Sequence, residues 1–170
     1  AGQRWDAWEP HLDPAPFLDP WLGGTVGGKV VLVTGGSSGI GLAAACKFAE
    51  AGAITVICAR DEAKLAEAKQ SILEFAGKAA VVETFSADIA DEASCKSLVD
   101  WLNERHGGVD FLVNNAGRAI RRAIEASYER FHAFEGPMQS NYCGSRHGTM
   151  GCLPGIVPQQ TGHHATTNAL

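Results

Sequence analysis

The sequence lacks a run of basic residues, an unbroken apolar stretch and any CxxC pair of cysteines. Each absence excludes something. Net charge is −5 over 170 residues, so no basic stripe neutralises phosphates and nucleic acid is not expected as the main partner. The charge-free run from Val30 to Cys46 is broken by Thr34, Gly35, Gly36, Ser37, Ser38, Gly39 and Gly41. It does not read as a membrane span, and no signal peptide is visible. The polar tail beyond Arg146 is no anchor either. Cysteines at 46, 58, 95, 143 and 152 leave one unpaired, which fits reduced thiols in a cytoplasmic protein better than a disulfide framework. Apolar residues make up 45% of the chain, enough to bury a core, so disorder is excluded for most of it. The start on Ala1 and the linker-like opening lead us to expect a segment of a longer product.

Three regions are expected. Residues 1–28 hold Pro10, Pro14, Pro16 and Pro20 with Trp5, Trp8 and Trp21. Prolines at that density work against helix and central strand, so this reads as a surface linker or an arm that docks by its aromatics. Residues 29–160 read as an incomplete dinucleotide-binding domain, and 161–170 as an irregular tail.

Within the middle region the pattern is regular. Val30-Val31-Leu32-Val33 is a short β-branched run, as in a strand buried on both faces. A helix over about Gly39 to Glu50 follows, then a strand at Ile54–Cys58. Asp61 and Glu62 open the next helix, with Leu65, Ala68, Ile72 and Phe75 on one face and Gly77 as its stop. Ala79–Phe85 reads as a third strand. Asp91 and Glu92 open a helix carrying Cys95, Leu98, Val99 and Leu102 at helical spacing, and Val109–Val113 reads as a fourth strand. This alternation predicts an α/β fold, a Rossmann-type doubly wound parallel sheet. It is expected to be truncated after the fourth strand and the following helix, leaving that strand's edge open. That last helix is expected from about Phe134 to Leu153, weakened by Gly144, Gly148 and Gly151 and stopped by Pro154 and Pro158.

Chemistry concentrates in one loop. Thr34-Gly35-Gly36-Ser37-Ser38-Gly39-Ile40-Gly41 lies between the first strand and its helix. Gly35 permits a sharp turn, Gly39 lets backbone approach a pyrophosphate, and Gly41 lets the helix pack close to the sheet. The helix N-terminus offers free N–H donors to an anion, and the Ser37 and Ser38 hydroxyls can add to them. A tight turn that binds nothing is the alternative.

The TGxxxGxG spacing resembles the classical short-chain dehydrogenase/reductase family. Ala87-Asp88-Ile89 after the third strand, Asn114-Asn115-Ala116-Gly117 after the fourth, and Ser140-Asn141-Tyr142 in the next helix agree with that family's motifs. With the proline-rich stretch His11–Phe17, the chain further resembles the reductase domain of bacterial two-domain fatty acyl-CoA reductases. The resemblance implies a hydride carrier acting on a small-molecule carbonyl or alcohol, such as a fatty aldehyde or acyl-CoA, in a homo-oligomer. It implies that Asp88 meets adenine with Ile89 beside it in the cofactor site, that Asn114 and Asn115, with Ala116 and Gly117, serve the cofactor ribose and hold the sheet, and that Asn141 holds a water in the catalytic proton relay. Asp88 as a helix cap and Asn114-Asn115 as an ordinary Asx turn are the alternatives.

Cofactor choice follows from charge. An acid that binds the ribose 2′-OH would stand at the end of the second strand, and that position is Ala59. Arg60 follows and can fork onto a 2′-phosphate, so NADP(H) is expected. The alternative is that Arg60 pairs with Asp61 or Glu62. The family's acid/base is a tyrosine with a lysine four residues on. Here Tyr128 is followed by His132 and Tyr142 by Arg146. The family's catalytic serine follows a strand that would begin near His163, and Thr166-Thr167 is a poor substitute. Binding without turnover is therefore expected of this chain. A non-catalytic dinucleotide or interaction module and a non-functional fragment are the rival readings. His163-His164 has no third ligand at metal spacing and reads as a solvated pair.

Overall fold

The computed structural model describes residues 20–118, 132–157 and 162–167. Its elements in order are α1 (Pro20–Val26), β1 (Val30–Thr34), α2 (Gly39–Glu50), β2 (Ile54–Ala59), α3 (Glu62–Ala76), β3 (Val82–Ser86), α4 (Glu92–His106) and β4 (Phe111–Asn114). Next come α5 (His132–Pro137), a π-helical stretch (Met138–Cys143), α6 (Gly144–Ile156) and β5 (His163–Thr166).

The strands form one parallel sheet in the order β3-β2-β1-β4-β5. Alternation along β1 sorts the core into two layers. Val31 and Val33 pack with Ala45, Ala49, Leu65 and Ile72 from α2 and α3. Val30 and Leu32 pack with Cys95, Leu98, Leu102, Cys152 and Ile156 from α4 and α6. Helices therefore cover both faces, and the Rossmann-type doubly wound expectation holds. All five residues of β1 are buried, which is why it reads as a continuous apolar run. Among the described residues no helix is long and apolar enough to cross a membrane.

Four expectations are corrected. Part of the supposed linker is helical: α1 starts on Pro20, where a missing N–H costs nothing, and Val26 reaches the core at 1% exposure. The tail is not wholly irregular, because His163–Thr166 form β5. The edge of β4 is therefore covered: His163 N–H donates to Asp110 O and Thr167 N–H to Asn114 O, both at 2.9 Å. The unpaired backbone of β4 selects this pairing without help from an apolar run, while the Phe111 and His163 rings stack at 5.0 Å. The third correction is Pro154, which does not end α6. Ile156, 7% exposed in the core, holds the last turn in place. The fourth concerns the α6 glycines, which are sites of close approach rather than flaws. A Cβ on Gly144 would stand 2.5 Å from Ile89 Cδ1, and one on Gly151 would stand 2.7 Å from Val99 Cγ2.

Candidate functional site

The chain leaves β1 toward β2 and β3 on one side and returns to β4 on the other. At such a switch point the loops beyond the two strand ends part and leave a crevice. Here the crevice is a cleft of about 400 Å³. Its lining comes from the β1–α2 loop, the end of β2, the start of α3, and the loops after β3 and β4.

The two central loops are laced together. Thr34 Oγ1 accepts the N–H groups of Asn115 at 3.0 Å and Ala116 at 3.1 Å. Asn115 Nδ2 donates to Thr34 O at 3.1 Å and Gly35 O at 3.3 Å. Gly35 turns with φ +68, its N–H donates to Cys58 O at 2.8 Å, and a Cβ there would lie 2.8 Å from Ala116 Cα.

The entry to α2 differs from those of α3 and α4. Asp61 caps α3 by accepting from Lys64 N at 3.1 Å, and Asp91 caps α4 by accepting from Ser94 N at 2.7 Å. Ser38, extended at the N-cap of α2, makes no side-chain cap bond. Gly39 follows with φ +55, and no atom lies within 4 Å of where its Cβ would stand. The first turn of α2 thus presents uncapped amides beside open space.

The sequence-predicted residues Gly35, Ser37, Ser38, Ile40, Arg60, Asp88, Ile89, Asn115, Ala116 and Gly117 all line the cleft. Gly41 does not. It is buried, and a Cβ there would collide with Gly35 O and Asn115 Nδ2. Asn141 is also off the lining. Its Oδ1 accepts from Arg118 N at 2.8 Å and its Nδ2 donates to Arg118 O at 3.1 Å. The side chain fastens the π-helical stretch to the loop after β4. Arg60 Nη1 stands 4.0 Å from Asp88 Oδ2, so its neighbour is Asp88 rather than Asp61 or Glu62. Asp88 Oδ1 accepts from Ala90 N at 3.0 Å, and the cap of α4 is Asp91 instead.

Other candidates fall elsewhere. Asn114 Nδ2 donates to Thr149 Oγ1 and meets His164 Nε2, both at 2.8 Å, so His164 is engaged rather than merely solvated. Thr167 Oγ1 donates to Asn115 Oδ1 at 3.1 Å. Tyr142 is 63% exposed, and Tyr128 lies outside the described residues. Among the described residues no group of three metal ligands assembles. Cys58 lines the cleft, yet burial pushes its thiol up to about 12, so it is no nucleophile.

Sequence reasoning missed two features. Lys64 lines the cleft, and its position four residues after Arg60 at a helix start was the available signal. The Thr34 hydroxyl as a hub between distant loops left no local signal.

A family model described as short chain dehydrogenase matches residues 29–167. The chain belongs to the short chain dehydrogenase family. It is 42% identical over 142 residues to an uncharacterized oxidoreductase of Mycobacterium tuberculosis, covering 84% of this chain and 42% of that protein. It is 42% identical over 137 residues to a fatty acyl-CoA reductase of Acinetobacter baylyi, covering 81% of this chain and 45% of that protein. The chain thus spans less than half the length of these curated relatives. Among solved structures, L-sorbose reductase from Gluconobacter frateurii, complexed with NADPH and L-sorbose, superposes with a TM-score of 0.69 at 32% identity. That match covers 79% of this chain and 49% of the reductase. An NADH-dependent reductase complexed with NAD superposes with a TM-score of 0.75 at 28% identity, covering 88% of this chain and 62% of that one.

Proposed function

We propose that this chain is the NADP(H)-binding portion of a short-chain dehydrogenase/reductase-like oxidoreductase acting on a carbonyl or alcohol, with a fatty aldehyde or acyl-CoA as the substrate class. The observation that carries the reading is the uncapped start of α2, flanked by Ser37, Ser38 and Ile40 on the lining of a cleft that also takes in Arg60. A diphosphate suits that cradle, because free amides and the positive end of a helix favour an anion. The fatty acyl-CoA reductase relative supports the substrate class.

Each residue then has a task. The amides after Gly35 and the hydroxyls of Ser37 and Ser38 hold the diphosphate, with Ile40 beside it and Gly41 keeping α2 close to the sheet. Asp88 accepts from the adenine amine next to Ile89. Asn115, Ala116 and Gly117 border the ribose. Ala59 places no carboxylate against a 2′-phosphate, and Arg60 offers it a forked donor. Asn141 sets the loop at Arg118 and holds the relay water that the family implies. The bound dinucleotide would supply or accept the hydride.

Neither tyrosine in these 170 residues has a lysine four positions on, so this chain alone binds without turning over. The same absence favours a second reading, a non-catalytic dinucleotide-binding module. Residence in the cytoplasm and homo-oligomeric assembly within a longer chain belong to the first reading.

Fluorescence titration with NADPH and NADH tests the proposal. Arg60→Ala should weaken NADPH by about tenfold and hardly change NADH. Equal losses overturn the cofactor choice, and a folded chain that binds neither dinucleotide overturns the whole. Steady turnover of a fatty aldehyde by the purified chain would overturn the expected inactivity.

A further inference from the structure

We infer that Lys64 is a second determinant of phosphate selectivity, acting with Arg60 on the 2′-phosphate at the β2 end of the cleft. The inference rests on the reading above, that the cleft takes a nicotinamide dinucleotide.

Arg60 by itself is a poor match for a phosphate monoester. Such a group carries about −1.5 to −2 charge at neutral pH. The Arg60 guanidinium already faces a carboxylate, with Asp88 Oδ2 at 4.0 Å. A second acid, Asp61, lines the same end of the cleft. With two carboxylates and one arginine, an incoming phosphate would meet a net negative charge, which one further cation brings to neutral.

Lys64 changes that balance. It lines the cleft from the first turn of α3. Its ammonium has no ion-pair partner among the described residues, whereas Lys29, Lys47 and Lys96 each pair with a carboxylate. The backbone at Lys64 is fixed, because its N–H donates to Asp61 Oδ1 at 3.1 Å. That bond also turns the Asp61 carboxylate back onto its own helix and occupies one of its oxygens. The sequence Arg60-Asp61-Glu62-Ala63-Lys64 therefore puts both of its cations on the cleft, with one of its acids engaged as a cap and the other, Glu62, off the lining. The roles differ by chemistry. Arginine gives a directed fork, while lysine gives a compact, strongly hydrated charge that acts over a short, salt-screened range.

Calorimetric titration of the purified chain with NADPH and NADH, at low and at raised salt, tests this with Lys64→Ala and Lys64→Arg. Circular dichroism confirms that each variant folds. Lys64→Ala should raise the NADPH dissociation constant roughly fivefold at low salt, leave NADH unchanged and flatten the salt dependence of NADPH binding. Lys64→Arg should restore most of the loss. Unchanged NADPH binding by Lys64→Ala, while Arg60→Ala still weakens it, overturns the role of Lys64 and leaves the dinucleotide reading standing. Equal weakening of both dinucleotides overturns selectivity as its role. A wild-type chain that is folded but binds neither dinucleotide overturns both readings.

Discussion

Thr34 and Asn115, 81 positions apart, are joined through a threonine hydroxyl: Thr34 Oγ1 accepts the Asn115 N–H at 3.0 Å while donating to Val113 O at 3.4 Å. The same oxygen accepts from Ala116 N at 3.1 Å, and Thr34 is only 2% exposed. Thr34→Val keeps the shape and removes the acceptor, so two amides lose their partner where water has little access. Each such group costs about 1–3 kcal/mol. Urea unfolding should show Thr34→Val destabilised by about 2 kcal/mol or more, with Thr34→Ser recovering much of it. A change below roughly 0.5 kcal/mol would contradict the hub.

Gly39 and Gly41 lie two residues apart and should respond differently to alanine. At Gly39 the new methyl meets nothing within 4 Å, and only the φ of +55 resists it. That resistance is about 1–2 kcal/mol. At Gly41 the methyl overlaps Gly35 O and Asn115 Nδ2 in a buried turn. Thermal unfolding should therefore fall much further for Gly41→Ala. Gly39→Ala should stay folded and lose NADPH binding, because under the proposed reading its methyl would stand where the diphosphate approaches. Full NADPH affinity in Gly39→Ala would argue against the cradle.

Much of this was legible from side-chain periodicity. Val30–Thr34 and Ile54–Ala59 stand out because both faces of each strand are covered. Asp61 and Asp91 announce the helices they cap. The glycine loop is legible because its place between a strand and a helix constrains its use. What was not legible depends on contacts distant in sequence. β5 forms from His163–Thr166 because β4 offers backbone groups, not because its residues favour a strand. Gly144 and Gly151 read as helix flaws until Ile89 and Val99 are seen against them. Sequence proximity offers Asp61 or Glu62 as the alternative partners of Arg60 to a 2′-phosphate, yet the carboxylate the fold brings to it is Asp88, after another strand.

The thiols offer a check on the packing. Burial raises the thiols of Cys58 and Cys152 to about 12 and that of Cys95 to about 11, and it also raises Cys46. At pH 8, about one in a thousand or fewer of the Cys58, Cys95 and Cys152 thiols would be thiolate. Iodoacetamide on the native chain, followed by peptide mass spectrometry, should label Cys143 well before the other four. Urea should make all five react alike. Early labelling of Cys58 or Cys152 in the native state would contradict the two-layer core.

Glu83 on β3 ties that strand to α4 through Arg105 Nε and through His106 Nε2 at 3.5 Å. Burial alone would raise its carboxyl, but the Arg105 hydrogen bond and charge, with His106, outweigh this and hold it below the ordinary glutamate range. A group lowered on folding stabilises above its unfolded value and loses that contribution as pH falls through its folded value. Melting temperatures of wild type and Glu83→Gln should differ at neutral pH and converge on acidification below the usual glutamate range. A difference that persists unchanged into acid would contradict the pairing.

The proposed site stands or falls on main-chain amides at the start of α2 receiving a diphosphate. Amide resonances of the isotopically labelled chain, followed during NADPH addition, test this most directly. Ser37, Ser38, Gly39 and Ile40 should shift furthest, with Arg60 close behind. Saturable binding that leaves those amides unmoved, or a folded chain whose spectrum ignores NADPH altogether, would contradict it.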